Sequence, residues 1–181
     1  MAIQKKLQDI SKWIVLLFQK IKMNRDKFIN QIEIEDVPWD RLPNFYARST
    51  NFPKLFYDID NGNVESLKEI KNSIVHQDTI MQVTPFAFLF LCKLFQKNKM
   101  PKVKEVIETV MKAVKYNTEY FESRGKVITL KELLKEENLF PEFVNQETEN
   151  DEWGEFDFGR NANSWFYNIL AINNYFENIK S

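Results

Sequence analysis

The sequence predicts an all-α protein with a single domain. Its 181 residues include only 4 Gly beside 16 Phe, whereas a β-sandwich or barrel needs many Gly-rich turns. Apolar residues recur at three- and four-residue steps in one segment after another, which places them on one face of a helix. Hydrophobic residues make up 44% and charged residues 28%, a composition that excludes wholesale disorder and a membrane bundle.

Residues 1–34 are predicted to form an N-terminal helical region. Its apolar stripe consists of Ile3, Leu7, Ile10, Ile14, Leu17 and Ile21. The apolar run over 13–18 is shorter than the ~20 residues of a membrane span and the ~7–15 residues of a signal-peptide core. We therefore predict a cytoplasmic protein without a membrane anchor. A basic helix lying on a membrane surface is the alternative, because lysines flank the run.

The next helices are predicted from their end signals. Pro38 and Pro43 interrupt the helical pattern, so residues 35–51 read as a connection. Asn51 is predicted to cap a helix that ends at Gly62, and Asn63 to cap a helix that runs to about His76. Three further starts are Thr84 with Pro85, Pro101, and the capping box of Thr129 with Glu132. The last helix is predicted over 162–179.

Two features of these helices bear on the architecture. The helix over 86–95 is apolar on nearly every side, so neighbours must cover several of its faces. The equivalent helix starts Asn63 and Pro101 are 38 residues apart, close to the ~40–47 residues of an α-solenoid repeat. The spacing alone leaves two architectures open, a solenoid of paired antiparallel helices and a compact helical bundle.

A series of uncommon residues runs in a set order through residues 36–115. The segments are Val37-Pro38-Trp39-Asp40-Arg41-Leu42, Phe45-Tyr46-Ala47, Phe52-Pro53-Lys54-Leu55, Ser73-Ile74-Val75-His76-Gln77-Asp78-Thr79 and Val83-Thr84-Pro85-Phe86-Ala87-Phe88-Leu89-Phe90-Leu91. This order resembles the opening segment of bacterial HEAT-repeat-domain proteins, although Asp78 and Phe88 stand where that family usually has Gly and Pro. The resemblance implies a HEAT-like α-solenoid of paired antiparallel helices with its core over 36–135. Such a scaffold binds a protein or other macromolecule on its concave face, and the resemblance implies no catalytic residues.

The composition argues against catalysis. One Cys and one His exclude the common zinc sites and any intramolecular disulfide, although a carboxylate-only metal site stays open. The chain lacks the usual phosphate-loop, hydrolase and zinc-protease motifs. Cys92 lies in an apolar run, where a thiol is inert. His76 is interpreted structurally, as a side chain that bridges backbone groups or stabilises a helix C-terminus. We predict a protein that is not an enzyme and uses no cofactor or metal.

The charge is divided unevenly along the chain. Residues 1–135 contain 23 Lys and Arg against 16 Asp and Glu, whereas residues 136–159 contain nine acidic residues and no basic residue. Residues 136–160, here called the acidic segment, are predicted to form an acidic aromatic loop before the C-terminal helical part, 161–181. The predicted partner-binding residues are Glu147, Glu149, Asp151, Glu152, Trp153, Glu155, Phe156 and Asp157.

Aromatic side chains among carboxylates are typical of a surface that binds a basic protein, since the rings supply buried contacts and the charges steer the encounter. Trp153, Phe156 and Phe158 are the rings in the C-terminal half of this segment. The alternative interpretation is that they only pack the loop onto the last helices.

These features favour a non-catalytic binding scaffold. The leading hypothesis is a bacterial immunity protein that neutralises a cognate toxin, a basic domain such as a nuclease, with carboxylates that mimic phosphates. A general adaptor is an alternative that shares the same evidence. A HEAT-like DNA glycosylase is another, with Asp40 or Asp58 beside Trp39 as its nominated site. The acidic segment and a pI near 6.0 argue against nucleic acid as the partner.

Overall fold

The computed structural model describes residues 22–121, 127–157 and 159–179. The chain divides between Ile32 and Glu33 into two compact units. The described part of the first unit contains a helix, α1, over 22–31. The second unit is mostly helical with one small two-stranded sheet. The all-α prediction is confirmed at this level, and the solenoid arrangement stays a prediction.

The second unit contains helices of very different lengths. They are α2 (Phe52–Asp60), α3 (Val64–Ile74), α4 (Thr84–Asn98), α5 (Pro101–Phe121), α6 (Leu130–Leu133), α7 (Gln146–Glu155) and α8 (Ala162–Ile179). Short 3-10 helices cover Ile34–Asp36, Trp39–Arg41 and Glu136–Asn138. Strands β1 (Val75–His76) and β2 (Thr79–Ile80) pair in antiparallel fashion, with Val75 opposite Ile80.

Helix α4 lies at the centre of the core. Its residues from Thr84 to Cys92 are all buried, and it packs against α2, α3, α5 and α8. The prediction that neighbours cover several faces of this helix is therefore confirmed. The burial of its apolar side chains supplies the main driving force for the assembly of these helices.

Trp39 belongs to this core. It is only 4% exposed, and its ring lies 5.4 to 5.8 Å from the rings of Phe52, Phe56 and Phe90. Its Nε1 donates a hydrogen bond of 2.7 Å to the carbonyl of Ile34. Protein therefore covers the faces of Trp39, and this packing does not favour the nominated DNA-glycosylase site of Trp39 with Asp40 or Asp58.

Some predicted helix caps are confirmed and others are wrong. The Asn63 side chain accepts hydrogen bonds from two backbone amides of α3, and Thr129 and Glu132 form the predicted capping box. Asn51 occupies the N-cap position of α2, but its backbone is already helical and its side chain makes no cap hydrogen bond. Its Nδ2 donates to Glu69 Oε1 at 2.6 Å. Thr84 lies inside α4, and its hydroxyl donates to the carbonyl of Ile74 at 2.8 Å.

The segment after α3 differs from the prediction. The helix ends at Ile74, and a tight hairpin follows in which Gln77 and Asp78 have φ of 48° and 59°, as a type I′ turn requires. His76 is exposed on β1 and contacts the rings of Phe45 and Tyr46. His76 thus lies two residues beyond the end of α3 beside two aromatic rings, and its stabilising role at the helix C-terminus stays a prediction.

Within the described ranges, no helix has the length and apolar character that crossing a bilayer demands. The apolar run over 13–18 and the stripe from Ile3 to Ile21 lie outside the described residues, as does Phe158.

Candidate protein-binding site

The acidic segment is more ordered than the predicted loop. It begins with the 3-10 helix Glu136–Asn138 and contains the ten-residue helix α7. Asn145 caps α7 by accepting a hydrogen bond of 3.0 Å from the backbone amide of Thr148. Most of the predicted partner-binding residues therefore lie on a helix, whose geometry fixes which of them point outward together.

Arg48 lies in the segment before α2 and binds the acidic segment. Its Nε donates to Glu149 Oε1 at 2.7 Å, and its Nη2 forms an ion pair with the same carboxylate. Its Nη1 donates to the carbonyls of Asp40 and Pro141 at 2.9 and 2.6 Å. The guanidinium also lies 4.5 Å from the ring centre of Phe140. One side chain thus binds three parts of the chain at once.

Arg41 forms a second attachment nearby. Its Nε donates to the carbonyl of Phe140 at 2.8 Å, and its two terminal nitrogens bind the carboxylate of Glu136 at 2.7 and 2.6 Å. The backbone amide of Phe140 donates in return to the carbonyl of Arg41 at 3.0 Å. The hydrogen bonds from Arg41 lower the pKa of Glu136. Two arginines that are seven residues apart therefore hold the start of the acidic segment.

The aromatic rings of the segment pack inward around Phe140, which is fully buried. Trp153 and Phe156 lie 4.8 and 5.0 Å from the Phe140 ring, measured between ring centres. The Trp153 indole Nε1 donates to Glu149 Oε1 at 2.8 Å. Both rings are half-buried, so they already have contacts within the protein. The alternative interpretation, in which the rings pack the segment onto the body, fits this arrangement.

The predicted carboxylates divide into an inward group and an outward group. Glu149 is buried, and the hydrogen bond from Arg48 holds its pKa below the usual range although burial opposes that shift. Glu152 is half-buried, with Oε2 at 3.7 Å from Arg48 Nη2. Glu147, Asp151, Glu155 and Asp157 are exposed. The structure thus brings Glu149 and Glu152 together at Arg48 and leaves the other four in solvent.

Three of the outward carboxylates form one row on α7. Glu147, Asp151 and Glu155 follow each other at intervals of four residues, which places them on the same side of the helix, and we call them the acidic face. Like charges at this spacing destabilise an isolated helix by about 0.2–0.5 kcal/mol per pair. This repulsion offsets the stabilisation that Glu147 gains in the first turn, near the positive end of the helix dipole, and all three carboxylates of the row face solvent.

Phe143 is a candidate contact residue that the sequence did not single out. It is 57% exposed, and its neighbour Val144 is 69% exposed. The Phe143 ring lies 5.9 Å from the Arg48 guanidinium carbon, just before the N-cap of α7. The sequence could have indicated this residue, because Phe143 and Val144 are two apolar neighbours that no helical repeat of apolar residues places in the core.

Side chains that commonly bind metal ions are not clustered in the described residues. Across residues 22–121, 127–157 and 159–179, no three His, Cys, Asp or Glu side chains are grouped so that they could hold a metal ion. Cys92 is 5% exposed within the core.

No protein-family model matches the chain, and neither a curated protein nor a solved structure matches it. The resemblance to HEAT-repeat-domain proteins thus stays a prediction, and function has to be inferred from the geometry of the acidic segment.

Proposed function

We propose that this protein is a non-catalytic bacterial immunity protein that neutralises a cognate toxin by binding it directly through the acidic face. The observation that carries the proposal is an exposed row of carboxylates on a helix whose inner side is fixed to the body. Arg48 binds Glu149 on that inner side, while Glu147, Asp151 and Glu155 remain in solvent.

Fixing the helix in advance favours binding. A surface that is ordered before association loses less conformational entropy in the complex than a free acidic loop would lose. The attachments at Arg41 and Arg48 give the acidic segment this order. The negative charges also raise the rate of encounter with a basic partner and reject acidic ones.

The spacing of the acidic face fits a basic active site. Four residues of helix rise about 6 Å, so the three carboxylates present a row of negative charge about 12 Å long. A cleft that binds nucleic acid holds its phosphates with Lys and Arg, and such a row of carboxylates can occupy it. A nuclease-type toxin is therefore the partner class that the surface fits best.

Phe143 supplies an apolar contact beside this row. Hot spots of protein interfaces are large side chains that become buried in the complex, surrounded by groups that exclude water. An exposed aromatic ring near the start of α7 meets this requirement better than Trp153 or Phe156, whose rings already contact Phe140.

The test is co-expression of the protein with the product of the adjacent gene, scored by co-purification and by rescue of growth. The variant Glu147→Lys with Asp151→Lys and Glu155→Lys reverses the acidic face and leaves the contacts of Arg48 intact. A matched control reverses three exposed carboxylates elsewhere, with Glu35→Lys, Glu65→Lys and Glu105→Lys. We expect only the acidic-face variant to lose the complex and the rescue, with an unchanged circular dichroism spectrum.

Other outcomes would contradict the proposal in different ways. Unchanged affinity in the acidic-face variant would place the interface elsewhere, on the concave face that the HEAT resemblance implies. Failure of the wild-type protein to bind or rescue, together with salt-dependent binding to DNA, would favour the nucleic-acid alternative. A stable complex with a protein other than a toxin would favour the adaptor.

A further inference from the structure

A hydrogen-bonded turn beside the acidic segment displays an exposed aromatic ring. The turn covers residues 44–47, between the antiparallel bridge partners Pro43 and Arg48, and it contains Tyr46. We propose that Tyr46 belongs to a second contact region for the basic toxin, in which a Lys or Arg side chain of the toxin packs on the tyrosine ring. This inference rests on the proposed function, because it extends the same interface beyond the acidic face.

The acidic face alone is too small for a stable interface. A stable complex of two proteins buries about 800 Å² on each partner and uses about 20–30 residues of each. Three carboxylates in a row about 12 Å long supply only a part of such a surface. Direct binding of a toxin therefore also needs surface next to α7.

Arg48 places the turn beside the acidic segment. Its guanidinium binds Glu149 of α7 and the carbonyl of Pro141. Tyr46 precedes Arg48 by two residues, which span at most about 7 Å of backbone. The Phe143 ring lies 5.9 Å from the carbon of the same guanidinium. Two exposed aromatic residues thus lie near the point where the acidic segment is attached.

Hydrogen bonds to a buried side chain fix the backbone of the turn. Asn44 is only 5% exposed, and its Oδ1 accepts from the backbone amides of Tyr46 and Ala47 at 2.8 and 3.0 Å. Its Nδ2 donates to Ser49 Oγ at 3.3 Å, and its backbone amide donates to the carbonyl of Ala47 at 2.9 Å. A turn that is ordered before association loses little conformational entropy in the complex.

The Tyr46 side chain extends from this fixed backbone into solvent. The residue is 67% exposed, and its ring contacts His76 with 6.5 Å between the ring centres. Tyrosine offers a large contact area with few rotatable bonds, and it is enriched among the hot spots of protein interfaces. The fold therefore leaves most of this ring available to a partner.

The charges in this region favour a cationic group on the ring. Arg41 and Arg48 are both already bound to carboxylates of the acidic segment. Glu142 precedes Phe143, and its side chain is 81% exposed, so it adds negative charge to the surface. The face of an aromatic ring attracts a cation within about 6 Å of its centre. A Lys or Arg side chain of a basic toxin therefore fits Tyr46.

The experiment measures the dissociation constant between the purified full chain and the purified product of the adjacent gene by isothermal titration calorimetry. We expect Tyr46→Ala to weaken binding about thirtyfold or more, the scale of a hot-spot residue. Tyr46→Phe keeps the ring and should stay within about threefold of the wild type. Urea unfolding should show wild-type stability for both variants, because the substituted side chain is exposed.

Tyr57→Ala is the matched control. Tyr57 is 70% exposed and lies on α2, which packs against α3 and α4. The control thus removes the same kind of side chain at nearly the same exposure from a different element. Its affinity for the toxin should stay within about threefold of the wild type.

Three results would overturn the inference. An unchanged affinity of Tyr46→Ala, together with loss of binding in the acidic-face variant, would refute this contact and leave the proposed function standing. An equal loss of affinity in Tyr46→Phe and Tyr46→Ala would assign the contact to the hydroxyl group instead of the ring. A wild-type protein that does not bind the toxin would refute the proposed function and this inference with it.

Discussion

Arg48 and Glu149 are 101 residues apart in the sequence and form an ion pair whose side chains are only 10% and 9% exposed. Arg48 also binds the carbonyls of Asp40 and Pro141, and Glu149 also accepts a hydrogen bond from Trp153. The pair therefore joins the connection before α2 to the inner side of α7. The position of the acidic face depends on this contact.

Replacing Arg48 with lysine should destabilise the protein. An ammonium group cannot reach the carboxylate and the two carbonyls together, because lysine lacks the planar fork of arginine. Lysine keeps the positive charge but loses the bidentate contact and the hydrogen bonds to the carbonyls, and a lost hydrogen bond of a charged group typically lowers the free energy of unfolding by about 1.5–3 kcal/mol. Urea unfolding at pH 7, followed by circular dichroism, measures the change.

Lys54→Gln is the control for this prediction. Lys54 and Asp58 form an ion pair at 2.8 Å, but the Lys54 side chain is 78% exposed. Exposed pairs contribute about 0–1 kcal/mol, so this variant should stay close to the wild type. Equal stability of the Arg48→Lys and Lys54→Gln variants would show that the pair with Glu149 does not hold the acidic segment.

The variant Trp153→Phe tests whether Trp153 serves packing within the protein or contact with the partner. Phenylalanine keeps a ring against Phe140 and removes the hydrogen bond to Glu149 Oε1. The free energy of unfolding should fall by about 1 kcal/mol, the typical value for one hydrogen bond. Binding to the co-expressed partner should be unchanged. A binding defect in a variant of near wild-type stability would restore Trp153 as a contact residue.

The stability of the protein should decrease in acid through Glu149. Arg48, helped by Trp153, holds the pKa of Glu149 below its usual range in the folded state. The unfolded chain then binds protons at a higher pH than the folded chain. The stabilisation is therefore complete above about pH 5 and is lost as the pH falls through the folded pKa.

Urea unfolding as a function of pH tests this linkage. The wild-type urea midpoint should fall as the pH decreases below about 5, and Glu149→Gln should show a smaller fall because its side chain does not titrate. An equally steep fall in both proteins would assign the acid sensitivity to other carboxylates. Glu136 is the next candidate, although at 78% exposure its pair with Arg41 is screened by solvent.

The sequence predicted those parts of the fold that depend on interactions between residues close to each other in the chain. Asn63 and Thr129 cap their helices because a cap bonds amides only two or three residues away. Asn51 has the same residue type at an equivalent place, but Glu69 on a different helix takes its side chain. The spacing of nearby residues in the sequence does not predict a tertiary contact of this kind.

The candidate site shows the same limit. The charge count located the acidic segment, but it could not tell that Glu149 faces inward, because its partner Arg48 lies far away in the sequence. Trp153 and Phe156 looked like binding anchors since large rings among carboxylates suit either an interface or a core. Their contact with Phe140 depends on the position of Arg41 and Arg48, which only the fold determines.

The hairpin turn after β1 offers a stabilising substitution. Gln77 and Asp78 have positive φ, a region that is unfavourable for residues with a Cβ and is favoured by Asn-Gly in a two-residue turn. Gln77→Asn with Asp78→Gly should raise the free energy of unfolding by about 1 kcal/mol. The contact of Asn117 with the Asp78 carbonyl at 2.6 Å involves only the backbone of residue 78 and should persist.

Lys112→Gly on the exposed side of α5 is the control with the opposite sign, and it should lower the free energy of unfolding by about 1 kcal/mol. Thermal and urea unfolding measure both changes in stability. A hairpin variant that is less stable than the wild type would show that the Asp78 side chain stabilises the fold.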